Sequence, residues 1–364
     1  MNATARAAVL LGPGELEIRE LPLPDVGDDD GLLRVEATGV CGSDIAAFQG
    51  HNPFYELPCV LGHELVGRVE RIGEGAAERW GVREGDRIVV EEYLPCGTCR
   101  SCLAGAYQMC RVPRYGGKSI HVAPGLFGGY SDFLYLHPQS IVHRVDDTTP
   151  AELLQLYIPI SNGLHWAQDV AGAGIGSTVV VIGPGPHGLG AVIGAREAGA
   201  ETVILVGLER DRVRLDVGRA LGADHVLAAD VDDVAPAVAE LTGGRLADAV
   251  VNAADSAVTL ETALAVAGDR ATVAQVGYGG GAGDAGLRSL AELIVTRMIT
   301  LRGVLGRPAA AVPPALRIIE SGRYPLDRMC TGTFDVDETE AALGATMNDP
   351  AAIRSIVVPA GTAS

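Results

Sequence analysis

Hydrophobic and polar positions change their rhythm partway along the chain. Through the first 150 residues, short apolar runs stand between turn signals: AAVLL, LEIRELPLP, GLLRVEATGV, ELVGRVERIG, GDRIVVEEY and SDFLYLH. Such runs predict an irregular antiparallel β domain. A cysteine-bearing loop interrupts them between Glu91 and about Tyr115. From about Ala151 the pattern becomes apolar strands alternating with alanine-rich helical stretches. STVVVIG precedes GLGAVIGAREAGA, ETVILVG precedes RDRVRLDVGRALGA, and HVLAA, DAVVNAA, ATVAQVGY and ITLRGVLG follow as strands. Repeated βα units predict an α/β domain with a parallel, doubly wound sheet. Beyond Pro308 come one helix, the segment CTGTFDVDETEAALGATMND and a last strand, IRSIVVP. The expected organisation is a β domain over 1–155 and 308–364, with a nucleotide-binding domain over 156–307 inserted.

Composition narrows the classes of function. A chain of 364 residues suits two domains, and 48% hydrophobic content without a bilayer-length apolar run predicts a soluble protein with ample core. The net charge of −18, from 46 acidic and 28 basic residues, argues against nucleic acid or anionic membrane as a partner. The opening segment MNATARAAVLLGPGELEIRE has neither an apolar signal core nor a small-residue cleavage site, so a cytoplasmic setting is expected.

Cys96, Cys99, Cys102 and Cys110 form a C-x2-C-x2-C-x7-C run. Thiolates so closely spaced can converge on one tetrahedral zinc without long-range folding to gather them. An iron–sulfur cluster is the competing reading, and two disulfides would demand an oxidising compartment. Four thiolates leave no open position, so this zinc would be structural.

Directly after one strand, Gly183, Gly185 and Gly188 spell G-x-G-x-x-G, with Pro186 and His187 inside the loop. That context marks a dinucleotide site whose pyrophosphate meets a helix N-terminus. His187 is either a further donor to the pyrophosphate or a solvated loop histidine. The next strand ends at Gly207, where an acidic residue would select NAD; Arg210 and Arg212 follow closely. Those residues favour NADP over NAD, while Glu209 keeps the ribose 2′-OH of NAD in play. Two further segments carry metal chemistry. GVCGSD supplies Cys41, Ser43 and Asp44, and GHE supplies His63 and Glu64. A Cys and a His from separate segments can form part of an open zinc site that polarises an alcohol or carbonyl oxygen.

Together, Cys41-Gly42-Ser43-Asp44, Gly62-His63-Glu64, the four-cysteine lobe and Gly183-Pro184-Gly185-Pro186-His187-Gly188 resemble, in the same order, the zinc-containing medium-chain alcohol dehydrogenase family. The resemblance spans nearly the whole chain. It implies a GroES-like catalytic domain, a Rossmann coenzyme domain and a homodimer or homotetramer. It also implies coenzyme roles for Val276, Gly277 and Val304, and a pyrophosphate contact for Arg354. Two positions depart from the family pattern. Ala46 stands where a proton-relay histidine is usual, and Ile158 stands where a third zinc ligand is usual. Glu64 is the expected substitute ligand, ahead of Gln155, Tyr157 and His165. The expected activity is hydride transfer between a nicotinamide coenzyme and a small alcohol or carbonyl, with zinc held by Cys41, His63 and Glu64 and with Ser43 passing the proton. Reduction of an activated alkene or iminium without catalytic zinc is the alternative. A cofactor-binding protein without redox activity is the third reading. Phe48, Phe54, Tyr93, Tyr130, Tyr157 and Leu305 are the expected lining of the substrate pocket.

Overall fold

Near residue 158 one architecture gives way to another. The computed structural model describes residues 3–52, 55–111, 114–277 and 287–360. One unit takes Met1–Ile158, Leu316–Gly322 and Cys330–Ser364; the other takes Pro159–Ala315 and Arg323–Met329. Compared with the expected return at 308, the helix Val312–Glu320 is divided between the two units.

In the first unit the strands are β1 (Thr4–Gly12), β2 (Glu15–Pro22), β3 (Gly31–Gly39), β4 (Cys59–Val60), β5 (Glu64–Ile72), β6 (Arg87–Val90), β7 (Phe133–Leu136) and β8 (Val142–Arg144). In the second unit they are β9 (Thr178–Ile182), β10 (Thr202–Gly207), β11 (His225–Ala228), β12 (Ala247–Asn252), β13 (Ala267–Gln275) and β14 (Thr300–Gly303). The chain returns to the first unit with β15 (Cys330–Phe334) and β16 (Arg354–Val357). β2-β1-β4 make a small sheet, and β15-β16-β3-β5-β6-β8 make a larger one with β7 paired to β3. Leu33, Val35, Leu65, Val90, Leu134 and Val357 point into a common core.

Register in the larger sheet prepares the site. β3 runs antiparallel to β5 with Gly39 opposite Glu64, and β16 lays Ile356 opposite Gly39. The segment after β3, the start of β5 and the start of β16 therefore meet at one end of the sheet. The short β4 and β8 and the helix Gly42–Phe48 have no counterpart in the sequence expectation, since two to seven residues carry too little periodicity to read.

The second unit holds six parallel strands in the order β11-β10-β9-β12-β13-β14. Alternate residues of each strand serve opposite faces. Val180, Ile182, Ile204, Val206 and Val250 pack with Val234, Val238 and Leu264 on one side. On the other, Leu205 lies against Leu189 and Gly218 of the helices Pro186–Glu197 and Arg212–Ala220. Burial on both faces explains why these strands read as unbroken apolar runs. The helix Tyr157–Leu164 continues as a π-helical turn, His165–Val170, and crosses the helix Pro186–Glu197.

Candidate active site and metal centres

The end of β3 leads into Cys41, whose amide donates to Asp44 Oδ2 at 3.0 Å while its carbonyl accepts from the Asp44 amide at 3.0 Å. That turn starts the helix Gly42–Phe48 and aims Asp44 inward, where Tyr130 OH donates to Oδ2 at 2.9 Å. Asp44 Oδ1 lies 3.3 Å from Nδ1 of His63. The opposite ring nitrogen, Nε2, faces Ser43 Oγ at 3.4 Å and Glu64 Oε1 at 3.9 Å. The donor atoms of Cys41, His63 and Glu64 all lie within 4.8 Å of one another. One sulfur, one imidazole nitrogen and one carboxylate oxygen, with no fourth His, Cys, Asp or Glu grouped with them among the described residues, match an open zinc site, and the Asp44 carboxylate on the far side of the histidine orients the ring.

Electrostatics reinforce this order. Burial would push the Cys41 thiol up, but the hydrogen bond and charge of His63 bring it below its ordinary value. Burial would lower His63, yet the Asp44 carboxylate, with Tyr55 and Cys41, raises it well above the usual histidine range. Asp44 is held below the usual carboxylate range, His63 outweighing the cost of burial.

Glu64 faces two ways. Its Oε2 pairs with Nη2 of Arg354, which is 1% exposed. Nη1 of Arg354 donates to the Val40 carbonyl at 2.8 Å, and Nε donates to Gln155 Oε1 at 2.9 Å. Gly39 makes room for this junction, since a Cβ there would overlap Gln155 and Arg354. Burial pushes Arg354 down to about 10, against the pull of Cys41 and Asp44, so it remains a cation at neutral pH. Arg354, for which the resemblance implies a pyrophosphate contact, anchors Glu64 within the first unit.

The substitute ligands separate cleanly. Ile158 is 2% exposed and supplies no donor. Gln155 spends Oε1 on Arg354 and donates Nε2 to the Glu152 carbonyl at 2.8 Å. Tyr157 donates its hydroxyl to the Val90 carbonyl at 2.5 Å, and His165 Nδ1 lies 2.8 Å from Asp169 Oδ2. Among the described residues, Glu64 alone of these joins Cys41 and His63. Two expected pocket residues need correction: Tyr130 and Tyr157 are fully buried with their hydroxyls spent on Asp44 and Val90, so they buttress the site. Phe54 lies outside the described residues. Tyr55, not singled out from sequence, has its hydroxyl buried at the site, and burial followed by the Asp44 charge pushes it up to about 12.

The sulfurs of Cys96, Cys99, Cys102 and Cys110 likewise lie within 4.8 Å of one another. Backbone amides of Cys99 and Cys102 donate to the sulfurs of Cys96 and Cys99 at 3.3 and 3.5 Å, and the Cys96 amide donates to Cys110 Sγ at 3.5 Å. Amide hydrogen bonds from Thr98 and Cys99 bring the Cys96 thiol down to about 6. Burial pushes the Cys102 thiol up to about 12, and four sulfurs gathered this closely suit a closed zinc site. The lobe is tied to the sheet by Tyr107 OH donating to buried Glu91 at 2.6 Å, whose other oxygen lies 2.7 Å from His143 Nε2.

In the second unit, the expected coenzyme residues collect at the carboxyl ends of the strands, where ligands of open α/β sheets bind. Gly183 follows β9 with φ +100°, and a Cβ at Gly188 would overlap the Gly183 carbonyl. Gly185 caps the helix and Pro186 opens it, a placement that costs no hydrogen bond. Gly207 ends β10, Val276 and Gly277 follow β13, and Val304 follows β14. Arg210 is exposed with no ion-pair partner among the described residues, whereas Arg212 pairs with Glu209. His187 Nδ1 lies 3.4 Å from Asn162 Nδ2, and Trp166 packs beside its ring at 5.3 Å. Asn252 donates to Gln275 across β12 and β13 at 2.9 Å. Neither Asn162 nor Asn252 carries a motif, so sequence inspection passes over both.

Comparison with known proteins places this geometry among relatives. The alcohol dehydrogenase GroES-like domain family matches residues 27–147, and the zinc-binding dehydrogenase family matches 186–321. A probable alcohol dehydrogenase of Mycobacterium tuberculosis is 36% identical, over 98% of this chain and 99% of its own length. An alcohol dehydrogenase of Thermotoga maritima superposes with a TM-score of 0.88 at 26% identity, covering 98% of this chain and 99% of that one. A Sinorhizobium meliloti protein described as a zinc-binding dehydrogenase, solved with NADP bound, superposes at 0.85 with 26% identity, covering 98% and 100%. No helix among the described residues is long and apolar enough to cross a membrane.

Proposed function

Because the chain belongs to the zinc-containing medium-chain alcohol dehydrogenase family, we propose that it is an NAD(P)-dependent oxidoreductase moving hydride between nicotinamide and a small alcohol or carbonyl, with zinc held by Cys41, His63 and Glu64. The observation that carries this reading is the convergence of those three donors within 4.8 Å, with Ser43 3.4 Å from the histidine. Zinc bound there supplies Lewis acidity toward the substrate oxygen. Asp44, held by Tyr130 and the Cys41 amide, fixes the His63 ring so that Nε2 faces the metal position. Arg354 holds one oxygen of Glu64 and leaves the other toward His63, so this carboxylate takes the place that Ile158 vacates.

In the oxidative direction a nicotinamide coenzyme would supply the hydride acceptor at C4, and the substrate hydroxyl would give up its proton. Ser43 Oγ receives that proton and returns its own to water, because Ala46 offers no onward relay. The Gly183–Gly188 loop of the second unit would hold the pyrophosphate of the dinucleotide, and Arg210 would meet the 2′-phosphate of NADP. The four-cysteine lobe holds a second, structural zinc. The exposed edge of β14 supports assembly as a homodimer or homotetramer.

Elemental analysis tests the mechanism. Wild-type protein is expected to carry two zinc ions per chain and Cys41→Ala one, with hydride transfer from a panel of small alcohols lost. A single zinc unchanged by the substitution would overturn the zinc-assisted reading and move the chemistry to reduction of an activated alkene or iminium.

A further inference from the structure

Asn162 lies on the helix Tyr157–Leu164, 5% exposed, where that helix passes the dinucleotide loop. The close passage has a steric cause: Gly163 meets the backbone of Gly190, and a Cβ on either would overlap the other helix. Asn162 is thereby set against the start of the helix Pro186–Glu197, with its Nδ2 3.4 Å from Nδ1 of His187. Its other polar atom, Oδ1, is fully enclosed and has no partner among the described residues. Leaving a buried acceptor unpaired is costly, and native structures keep such an atom where something else satisfies it.

Position says which part of a dinucleotide could do so. The adenosine ribose belongs at the end of β10, on one side of β9. The helical turn that continues from Asn162, His165–Val170, packs against β12 and β13, on the other side of β9. Asn162 therefore sits on the half of the site that receives the nicotinamide nucleotide. That half carries hydrogen-bond donors: the ribose hydroxyls and the carboxamide NH2.

We infer that Asn162 is a coenzyme-binding residue, its Oδ1 accepting a hydrogen bond from a donor on the nicotinamide half while His187 fixes the orientation of its amide. The inference rests on the dinucleotide reading above and adds to it a residue outside the glycine fingerprint. In the arrangement where Nδ2 donates to His187 Nδ1, the imidazole proton sits on Nε2, so the same contact also sets the tautomer of the loop histidine.

Calorimetric titration of the full chain with NADP⁺, and separately with 2′,5′-ADP, tests it without any turnover. Asn162→Ala and the volume-conserving Asn162→Leu are expected to bind NADP⁺ about fivefold to tenfold more weakly, the scale of one neutral hydrogen bond. Both variants are expected to bind 2′,5′-ADP as the wild type does, because that probe lacks the nicotinamide half; this also shows that they are folded. Unchanged NADP⁺ affinity, or an equal loss for both probes, overturns the inference while leaving the dinucleotide site standing. Wild-type protein that binds neither NADP⁺ nor NAD⁺ overturns the dinucleotide reading and the inference together.

Discussion

At the end of β10, Gly207 stands where an acidic side chain would receive a ribose hydroxyl, and its backbone runs close under Pro184. A Cβ there would lie 2.9 Å from Pro184 Cγ and 3.1 Å from Leu215 Cδ2. The acidic residue is thus missing from the sequence and also crowded out by packing. Glu209, the alternative acceptor, is engaged with Arg212, and its amide is held by Asp230 Oδ1 at 2.7 Å. Arg210 is left as the candidate for the proposed 2′-phosphate contact. Substituting Arg210→Ala should weaken NADP⁺ binding roughly tenfold, the scale of a charge-assisted contact, while NAD⁺ binding stays within about twofold. Parallel titrations with the two coenzymes check this, and an equal effect on both would refute the phosphate role. The motif residues Cys41, His63 and Gly183 were legible because their neighbours in sequence identify them. Tyr55 and Asn162 were not, since a lone Tyr or Asn acquires meaning only from what folding places beside it.

Helices and strands position these groups through their contacts. The passage of the helix Tyr157–Leu164 over the helix Pro186–Glu197 depends on three glycines, Gly163, Gly190 and Gly194, each facing backbone of the other helix. From sequence alone, GLGAVIGAREAG reads as a coenzyme helix with good reason, but its second use as a close-packing surface is invisible without the partner helix. Gly190→Ala should cost about 1–3 kcal/mol through overpacking. Gly344→Ala, in the helix Thr339–Asn348 with open space around it, should instead gain up to about 1 kcal/mol from helix propensity. Opposite shifts of the denaturation midpoint check both, and a neutral Gly190→Ala would mean that the helices are not in contact there. The larger strands were readable at this scale, β9 and β12 as buried apolar runs and β3 and β5 by their turn boundaries. The two-residue β4 was not, because its pairing with β1 rests on tertiary placement.

At the scale of the whole molecule, the parallel sheet ends on β14, which among the described residues pairs with β13 alone; all four of its residues are exposed, and Leu301 is 41% exposed beside Met298 at 68%. An edge of this kind is a template for pairing, and two-fold pairing with a second copy, as proposed above, would close it. Light scattering should give at least twice the chain mass for the wild type and a smaller assembly for Leu301→Lys. A monomeric wild type would defeat that expectation. Sequence by itself determined what short spacing can encode: the cysteine lobe, the glycine loop, the change of period between two architectures, and the family. Those features act over a few turns of chain, so order and spacing suffice. Only the tertiary structure brought the Glu64 carboxylate within 4.8 Å of the Cys41 and His63 donors and paired it with Arg354, 290 residues away. It also decided that Asn162 faces the dinucleotide loop. Each depends on strand register and helix crossing, which set neighbours across long chain separations where sequence carries no distance.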